Sequence, residues 1–358
     1  MSVLAFLIYK HKLVWVELIA PTIVGLIIIF VCKSIMINGL TNDTEYWTNF
    51  PIEARYYEDW DEYIKQTCTR TVSCGKGCTT TQTYDCSYVD YHPEYWVMIM
   101  NDGSTKYISK TYYNFLLKLW GTGKTFVNMH RDYHYNDGDM YKSVWNKKFE
   151  DIQPYVTKHS YENKVQSVNS VMKFRELDSL DVKGLYDYPD VDNYEQESCL
   201  GCSDEDNKLL NIWNAYYGYK YEIKMFILVF DDNDGNLGEL QQEYWKGGNK
   251  NELVVCVDKN GRWVKTFSWC DDKHIEVNVD NIFMRDIDMK SKIDLMIKEV
   301  EKNWKRKHFS DFDYIIVPLK TKHLFIIAII VFIVSFGLLI YGVVNEFEND
   351  ENGNIINR

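Results

Sequence analysis

Two short runs in this chain carry residue types that do chemistry. Asp231-Asp232-Asn233-Asp234-Gly235 sets three carboxylates directly after an apolar stretch, Tyr221 to Phe230. Hard divalent cations take such oxygen donors, and the end of a strand is where an open α/β sheet places its ligands. A metal-dependent, phosphatase-like hydrolase would use Asp231, Asp232 and Asp234 as metal ligands, joined by Asp271 or Asp272. The run is not spaced as a calcium loop: counting back from Gly235 puts Phe230 at the first ligand position and Gln241 at the twelfth. The second run is Cys199-Leu200-Gly201-Cys202, a C-x-x-C followed by Ser203-Asp204-Glu205-Asp206, which reads as a helix N-cap with an acidic first turn. A helix start lowers a thiol pKa and neighbouring carboxylates raise it, so a thiol oxidoreductase and a small structural disulfide both stay open.

Weaker signals complete the set. Gly121-Thr122-Gly123-Lys124-Thr125 ends like a phosphate loop, but Lys118 stands where the motif needs its first glycine. His130 and His134 would share a helix face, with Asp132, Asp137 and Asp139 nearby, yet Arg131 replaces the glutamate of a metalloprotease motif. That stretch reads as a polar loop. Thr67 to Cys86 folds back on Gly75-Lys76-Gly77, which places Cys74 opposite Cys78 and Cys68 near Cys86. Two nested pairs around one hairpin read as disulfides. Zinc is the alternative, without a C-x2-C knuckle to support it.

The elements that hold these residues are framed by two apolar runs. Leu324 to Val344 carries no charge and spans about 30 Å as a helix, the thickness of a bilayer core. Leu13 to Cys32 is broken only by Glu17 and Pro21, with its clean part from Leu18 to Val31. A basic head before an apolar run also describes a signal peptide. The length of this run, and Lys33-Ser34-Ile35 where a cleavage site would sit, favour an uncleaved span. The divisions are then a head at 1–12, a transmembrane helix at 13–37, a β-rich cysteine-containing region at 38–206, an α/β region at 207–319, a second transmembrane helix at 320–344 and an acidic tail at 345–358.

Within the second half, Asn207 to Gly218 has helical spacing, Glu252 to Asp258 and Arg262 to Trp269 flank an Asn260-Gly261 turn, and Met289 to Trp304 is amphipathic. Lys305-Arg306-Lys307 would close that last helix at the end its dipole favours. A strand is expected within 164–177. The fold class is an α+β membrane protein: two transmembrane helices bracket a large α/β-type domain with a mixed sheet and a disulfide-braced hairpin. The order of strand, helix, Trp245-Lys246-Gly247-Gly248-Asn249-Lys250-Asn251 turn, hairpin, long helix and membrane anchor resembles the TPM domain over 221–304. That family is an α/β module of membrane-anchored extracytoplasmic proteins, for parts of which an acid phosphatase activity has been proposed. The resemblance implies a strand-end site at Asp231 to Asp234. The chain departs from the family at Cys256-Val257-Asp258-Lys259, where glycines are expected. The whole chain is also similar to uncharacterised two-span membrane proteins of bacteriophages and Bacteroidetes.

A formal charge of −12 argues against nucleic acid as a partner. Of nine cysteines, all but Cys32 lie outside the spans. These eight, Cys68, Cys74, Cys78, Cys86, Cys199, Cys202, Cys256 and Cys270, are an even number with four nested in one hairpin, which fits disulfides in an oxidising compartment, so the domain is expected outside and both termini in the cytoplasm. No nucleophile–base pair stands out. The first expectation is a non-enzymatic binding or scaffold protein with a lipid bilayer and a protein as partners and no cofactor. The hydrolase with a divalent metal and the C-x-x-C oxidoreductase are the alternatives.

Overall fold

The computed structural model describes residues 15–75, 77–121, 124–129, 138–146, 148–168, 174–191, 195–232, 234–344, 347–349 and 355–357. In chain order its first half holds helix α1 (Trp15–Thr41), then β1 (Asn42–Asn49), β2 (Pro51–Tyr57), β3 (Trp60–Ile64), β4 (Thr67–Gly75), β5 (Cys78–Asp85), β6 (Tyr88–His92), β7 (Tyr95–Met100) and β8 (Thr105–Ile108). Helix α2 (Lys110–Trp120), β9 (Lys124–Val127), β10 (Met140–Val144), β11 (Tyr155–Glu162) and α3 (Lys164–Ser167) follow. The second half holds β12 (Cys199–Leu200), α4 (Asp204–Tyr221), β13 (Lys224–Phe230), α5 (Asn236–Tyr244), β14 (Glu252–Asp258), β15 (Val264–Ser268), α6 (His274–Phe283), α7 (Met289–Asn303) and α8 (Thr321–Val344).

These elements form two compact units, one of residues 1–44, 160–175 and 308–358, the other of 45–159 and 176–307. The first unit pairs α1 with α8. Both are long and apolar enough to cross a membrane. Gly25 faces Val331 and Ser335, and Ser335 Oγ reaches Pro21 O at 3.5 Å, so the two helices run antiparallel. Their outer faces, including Leu26, Phe30, Phe325 and Phe332, are exposed and apolar, as a bilayer surface requires. Helix α1 continues past the expected boundary at 37 to Thr41, because nothing from Lys33 to Leu40 breaks it. Its end is tied to the 160–167 segment: Asn163 N–H donates to Thr41 O at 2.6 Å, and Tyr161 and Asn163 donate to Asp43 Oδ2 at 2.9 and 2.7 Å.

The second unit is built on two main sheets. One is antiparallel, in the order β8-β7-β2-β10-β9. Helix α2 packs on it through Tyr113, Leu116 and Leu117 against Ala54, Met98 and Met100. The other runs β12-β13-β14-β15, parallel except for β15. It is covered on both faces, which is why YEIKMFILVF and ELVVCVD are nearly continuous apolar runs. Met225, Ile227, Leu253, Val255 and Val257 face α4, α6 and α7. Phe226, Leu228, Phe230, Val254 and Cys256 face α5 and the 185–188 segment. Because Cys199–Leu200 supplies the edge strand, this layer begins at 199 rather than 207.

Three expectations change. The strand expected in 164–177 is instead β11, upstream, and Lys164–Ser167 is helical; residues 169–173 lie outside the described residues. Helix α7 stops at Asn303 and Trp304 is extended, so Lys305, Arg306 and Lys307 do not cap it. Cys256 and Cys270 are free. They belong to the cores on opposite faces of the sheet, so their thiols point apart.

Candidate functional site

The carboxylates after β13 are exposed, and their oxygens serve the turn. Asp232 Oδ1 accepts Asp234 N–H at 3.0 Å, and Asp234 Oδ1 accepts Asn236 N–H at 3.0 Å at the start of α5. Asp231 lies 3.5 Å from Lys259 Nζ; Asn233 lies outside the described residues. The register separates this loop from Asp271 and Asp272. Phe230 pairs with Asp258 at one end of the sheet and Leu253 with Ser268 at the other, roughly 15–20 Å apart at 3.3 Å per residue. There Asp271 pairs with Lys307 at 2.9 Å, and Asp272 accepts from His274, a bond that holds its carboxyl below the usual range. Neither Asp271 nor Asp272 is thus brought to Asp231, Asp232 and Asp234, as a hydrolase would need. Among the described residues no group of three His, Cys, Asp or Glu is placed to hold a metal. His130, Asp132, His134 and Asp137 lie outside the described residues, as does Gly123. Asp139 is buried and accepts Met129 N–H at 3.1 Å.

Cys199 and Cys202 form a disulfide between the end of β12 and the Ser203 N-cap of α4. Gly201 has φ +75°, and a Cβ there would stand 2.4 Å from Tyr186 Oη, so only glycine fits. Asn207 Oδ1 accepts the N–H groups of both Ser198 and Cys199 at 3.0 Å, so the loop is held without its bridge. Cys202 is partly exposed, whereas Cys199 is 1% exposed within the apolar core. A thiolate attacking Cys202 would expel Cys199 as an anion into that core, which opposes exchange. The geometry fits a structural bridge.

A cluster of buried charged side chains lies elsewhere, at the N-terminal ends of β13 and β14. Lys224 is fully buried, pairs in register with Glu252, and donates to Thr48 Oγ1 at 3.3 Å. Burial brings its ammonium pKa down to about 7. Burial raises the Glu252 carboxyl, although it accepts from Tyr188 Oη at 2.6 Å and from Asn249 Nδ2 and N at 2.7 and 2.9 Å. Beside them Glu45, 2% exposed, takes Arg306 at 2.6 Å and Lys250 at 3.4 Å. Its carboxyl is raised by burial, against the pull of both cations. Arg306 lies over the Trp47 ring, which stacks on His159 at 3.4 Å. Burial lowers His159 to about 4, so its ring is neutral.

The Trp245 to Asn251 turn makes this cluster possible. Lys246, Gly247 and Gly248 all have positive φ. Lys250 and Asn251 then reach β1, Asn251 Nδ2 donating to Tyr46 O at 2.7 Å. Such groups often mark active sites. Here the principal charges face protein partners, and Glu45 and Arg306 stand at the start and near the end of their unit. The arrangement is a clasp that orders the chain where it enters and leaves the unit.

The remaining feature is an arm. From the β2–β7 pair, β3 pairs with β6 and β4 with β5, so the chain runs out and back from Tyr57 to Tyr95. Arm residues take no part in the cores of the unit. Cys68–Cys86 closes the base of the outer hairpin and Cys74–Cys78 its tip, with the bulge between Ser73 and Gly75. The two faces of this hairpin differ. On one, Arg70 donates twice to Gln82, at 3.1 and 2.9 Å, and lies over Tyr84, beside Val72 and Cys68. On the other, Thr67, Thr69, Thr71 and Ser73 stand opposite Asp85, Thr83, Thr81 and Thr79. All eight are exposed. Nearer the base, Tyr63, Tyr88 and Tyr91 are also exposed.

The outer hairpin is legible from its cysteines; the pairing of β3 with β6 is not, because β3 lies in a polar stretch without a cysteine or a turn to mark it. The clasp is not legible in the sequence, because its members are scattered from Glu45 to Arg306. One signal is present: Lys224 is the one charged residue of β13, a strand buried on both faces. No known family, no curated protein and no solved structure matches the chain.

Proposed function

We propose that this is a membrane-anchored binding protein whose disulfide-braced arm engages a protein partner on the oxidising side of the membrane. The arm carries the reading. A two-stranded ribbon is marginal in water by itself, yet this one is kept by two disulfides and, Cys68 and Val72 apart, leaves its described side chains exposed. Its hydroxyl-rich face, with Asp85 as its one charge, and its unpaired strand edges are what a partner strand or flat surface meets. Three disulfide pairs support an oxidising compartment, with α1 and α8 spanning the bilayer and both termini in the cytoplasm. The TPM likeness over 221–304 would supply a scaffold for that stretch without its catalysis.

The test uses the full chain in the cells that make it. A photo-crosslinking residue replaces Thr71 or Thr81 on the arm, or Lys298 on the exposed side of α7. A discrete crosslinked species from the arm positions and none from Lys298 is expected, with arm cysteines reaching an impermeant maleimide only after impermeant reductant. Equal crosslinking from all three positions would overturn the binding role. Labelling that needs permeabilised cells would overturn the sidedness.

A further inference from the structure

The first unit holds an apolar groove of about 750 Å3 between α1, α8 and the extended segment Ile316 to Leu319. Ile29, Val317, Leu324, Ile327, Val331 and Phe332 supply most of its wall. Lys33 and Ser335 are its polar side chains. From Ser335 to Leu324 the groove follows α8 for about 16 Å at 1.5 Å per residue. That is about half a bilayer's hydrocarbon thickness, the depth filled by the chains of one leaflet. The antiparallel register, with Gly25 against Val331 and Ser335, brings Lys33 level with the first turn of α8. Lys33 has no ion-pair partner among the described residues. Lys320 and Lys322 are exposed at the same end, and no acidic residue occurs from Leu18 to Asn42 or from Tyr314 to Val344. The mouth of the groove is therefore cationic and its wall is hydrocarbon. Tyr314 and Ile316, 74% and 88% exposed, flank it as interfacial residues do.

We propose that this groove binds one acyl chain of an anionic phospholipid, with the headgroup phosphate at Lys33. An apolar hollow open to a bilayer fills with lipid, because an empty one leaves its lining without dispersion contacts. The ammonium at its mouth selects the headgroup, since a basic residue near the surface favours anionic lipid. The inference rests on α1 and α8 spanning a membrane, as proposed above, and is independent of the arm.

The full chain is reconstituted into vesicles of equal phosphatidylglycerol and phosphatidylcholine, extracted in mild detergent and weighed by native mass spectrometry. The expected result is one retained phosphatidylglycerol per chain. Lys33→Gln is expected to lower the preference over phosphatidylcholine about fivefold, the worth of one cation near the surface. Val331→Trp, which fills the groove, is expected to remove retention of both lipids. Helical circular dichroism is measured on each variant, and Ala328→Phe is a second filling variant should Val331→Trp fail to fold. Alkaline extraction of the vesicles separates the two readings. A chain that stays embedded but retains lipid without preference, or equally in all variants, overturns the groove alone. A chain released by alkali overturns the span and the groove together.

Discussion

The arm and the β12–β15 layer belong to one unit and are held in opposite ways. The layer buries its strands on both faces, and its two unpaired cysteines, Cys256 and Cys270, stay thiols inside that packing. Burial raises both thiol pKa values, which keeps them inert. The arm buries almost nothing, and all four of its cysteines are bridged. Covalent closure stands where hydrophobic burial is missing. The C-x-x-C of the layer fits the same rule from the other side. Its bridge closes a very short loop that Asn207 already holds, so its entropic contribution, about 2 kcal/mol by loop length, is the smaller one.

The largest effect is expected in the packing of the layer. Phe226 is fully buried and meets Tyr188 and Trp245 edge-on. Phe226→Ala is expected to cost about 3–5 kcal/mol. Urea unfolding of the full chain in detergent, followed by tryptophan fluorescence, reads this as a lower midpoint. A cost below 1 kcal/mol would mean that packing does not hold the layer.

The matching experiment on the arm replaces Cys68 and Cys86 together by serine. Opening a loop of this length releases about 3 kcal/mol of chain entropy. The loss is expected to stay local. Amides of β4 and β5 would exchange with deuterium much faster, while those of β13 and β14 keep their protection. Faster exchange in β13 and β14 would show that the arm does support the layer, and the contrast would fail.

The same contrast explains what could be read in advance. Paired cysteines around Gly75-Lys76-Gly77 announce their geometry locally, and so do the apolar runs of β13 and β14 and the face Ile293, Met296, Ile297 and Val300 of α7. Helix α6 was not legible because Ile275, Val277 and Val279 alternate like a strand; only packing of Ile275, Val279 and Phe283 on the sheet makes it helical. The aspartate set failed because register, which decides the end of the sheet that Asp271 occupies, is a long-range property. Lys305 to Lys307 look like a helix end but find Glu45 and Asp271, far away in sequence.

The clasp gives the next smaller effect, through pH. Lys224 is depressed to about 7 by burial, and Glu252, Thr48 and the Phe226 ring face it. Between about 7 and the ordinary lysine range the unfolded chain holds a proton that the folded chain has released. Stability therefore rises with pH through that window, by up to about 1.4 kcal/mol per unit. Glu252 acts in a lower window and with the other sign: its raised folded pKa makes stability fall as pH rises through the carboxylate range. Lys224→Met is expected to lessen the alkaline slope, since Tyr188 and Asn249 still bond Glu252 and Lys250, also lowered by burial, supplies the remainder. Urea midpoints at pH 7.0 and 8.5 for both proteins check this, and an unchanged slope in the variant would place its origin elsewhere.

The smallest effect is expected at the other end of the same sheet. Asp231 and Asp232 follow the same strand that Lys224 begins, but outside the packing. Asp231 is open to solvent and its contact with Lys259 is between two exposed groups, an arrangement worth little. Asp232 contributes one hydrogen bond to a surface turn. Asp231→Asn with Asp232→Asn is expected to change stability by less than about 0.5 kcal/mol and to leave crosslinking from the arm unchanged. Divalent cations at millimolar concentration are expected to shift the urea midpoint equally in the wild type and the double variant. A metal-dependent gain in stability confined to the wild type would mean that these carboxylates do gather around an ion. The strand would then carry function at its exposed end as well as order at its buried one.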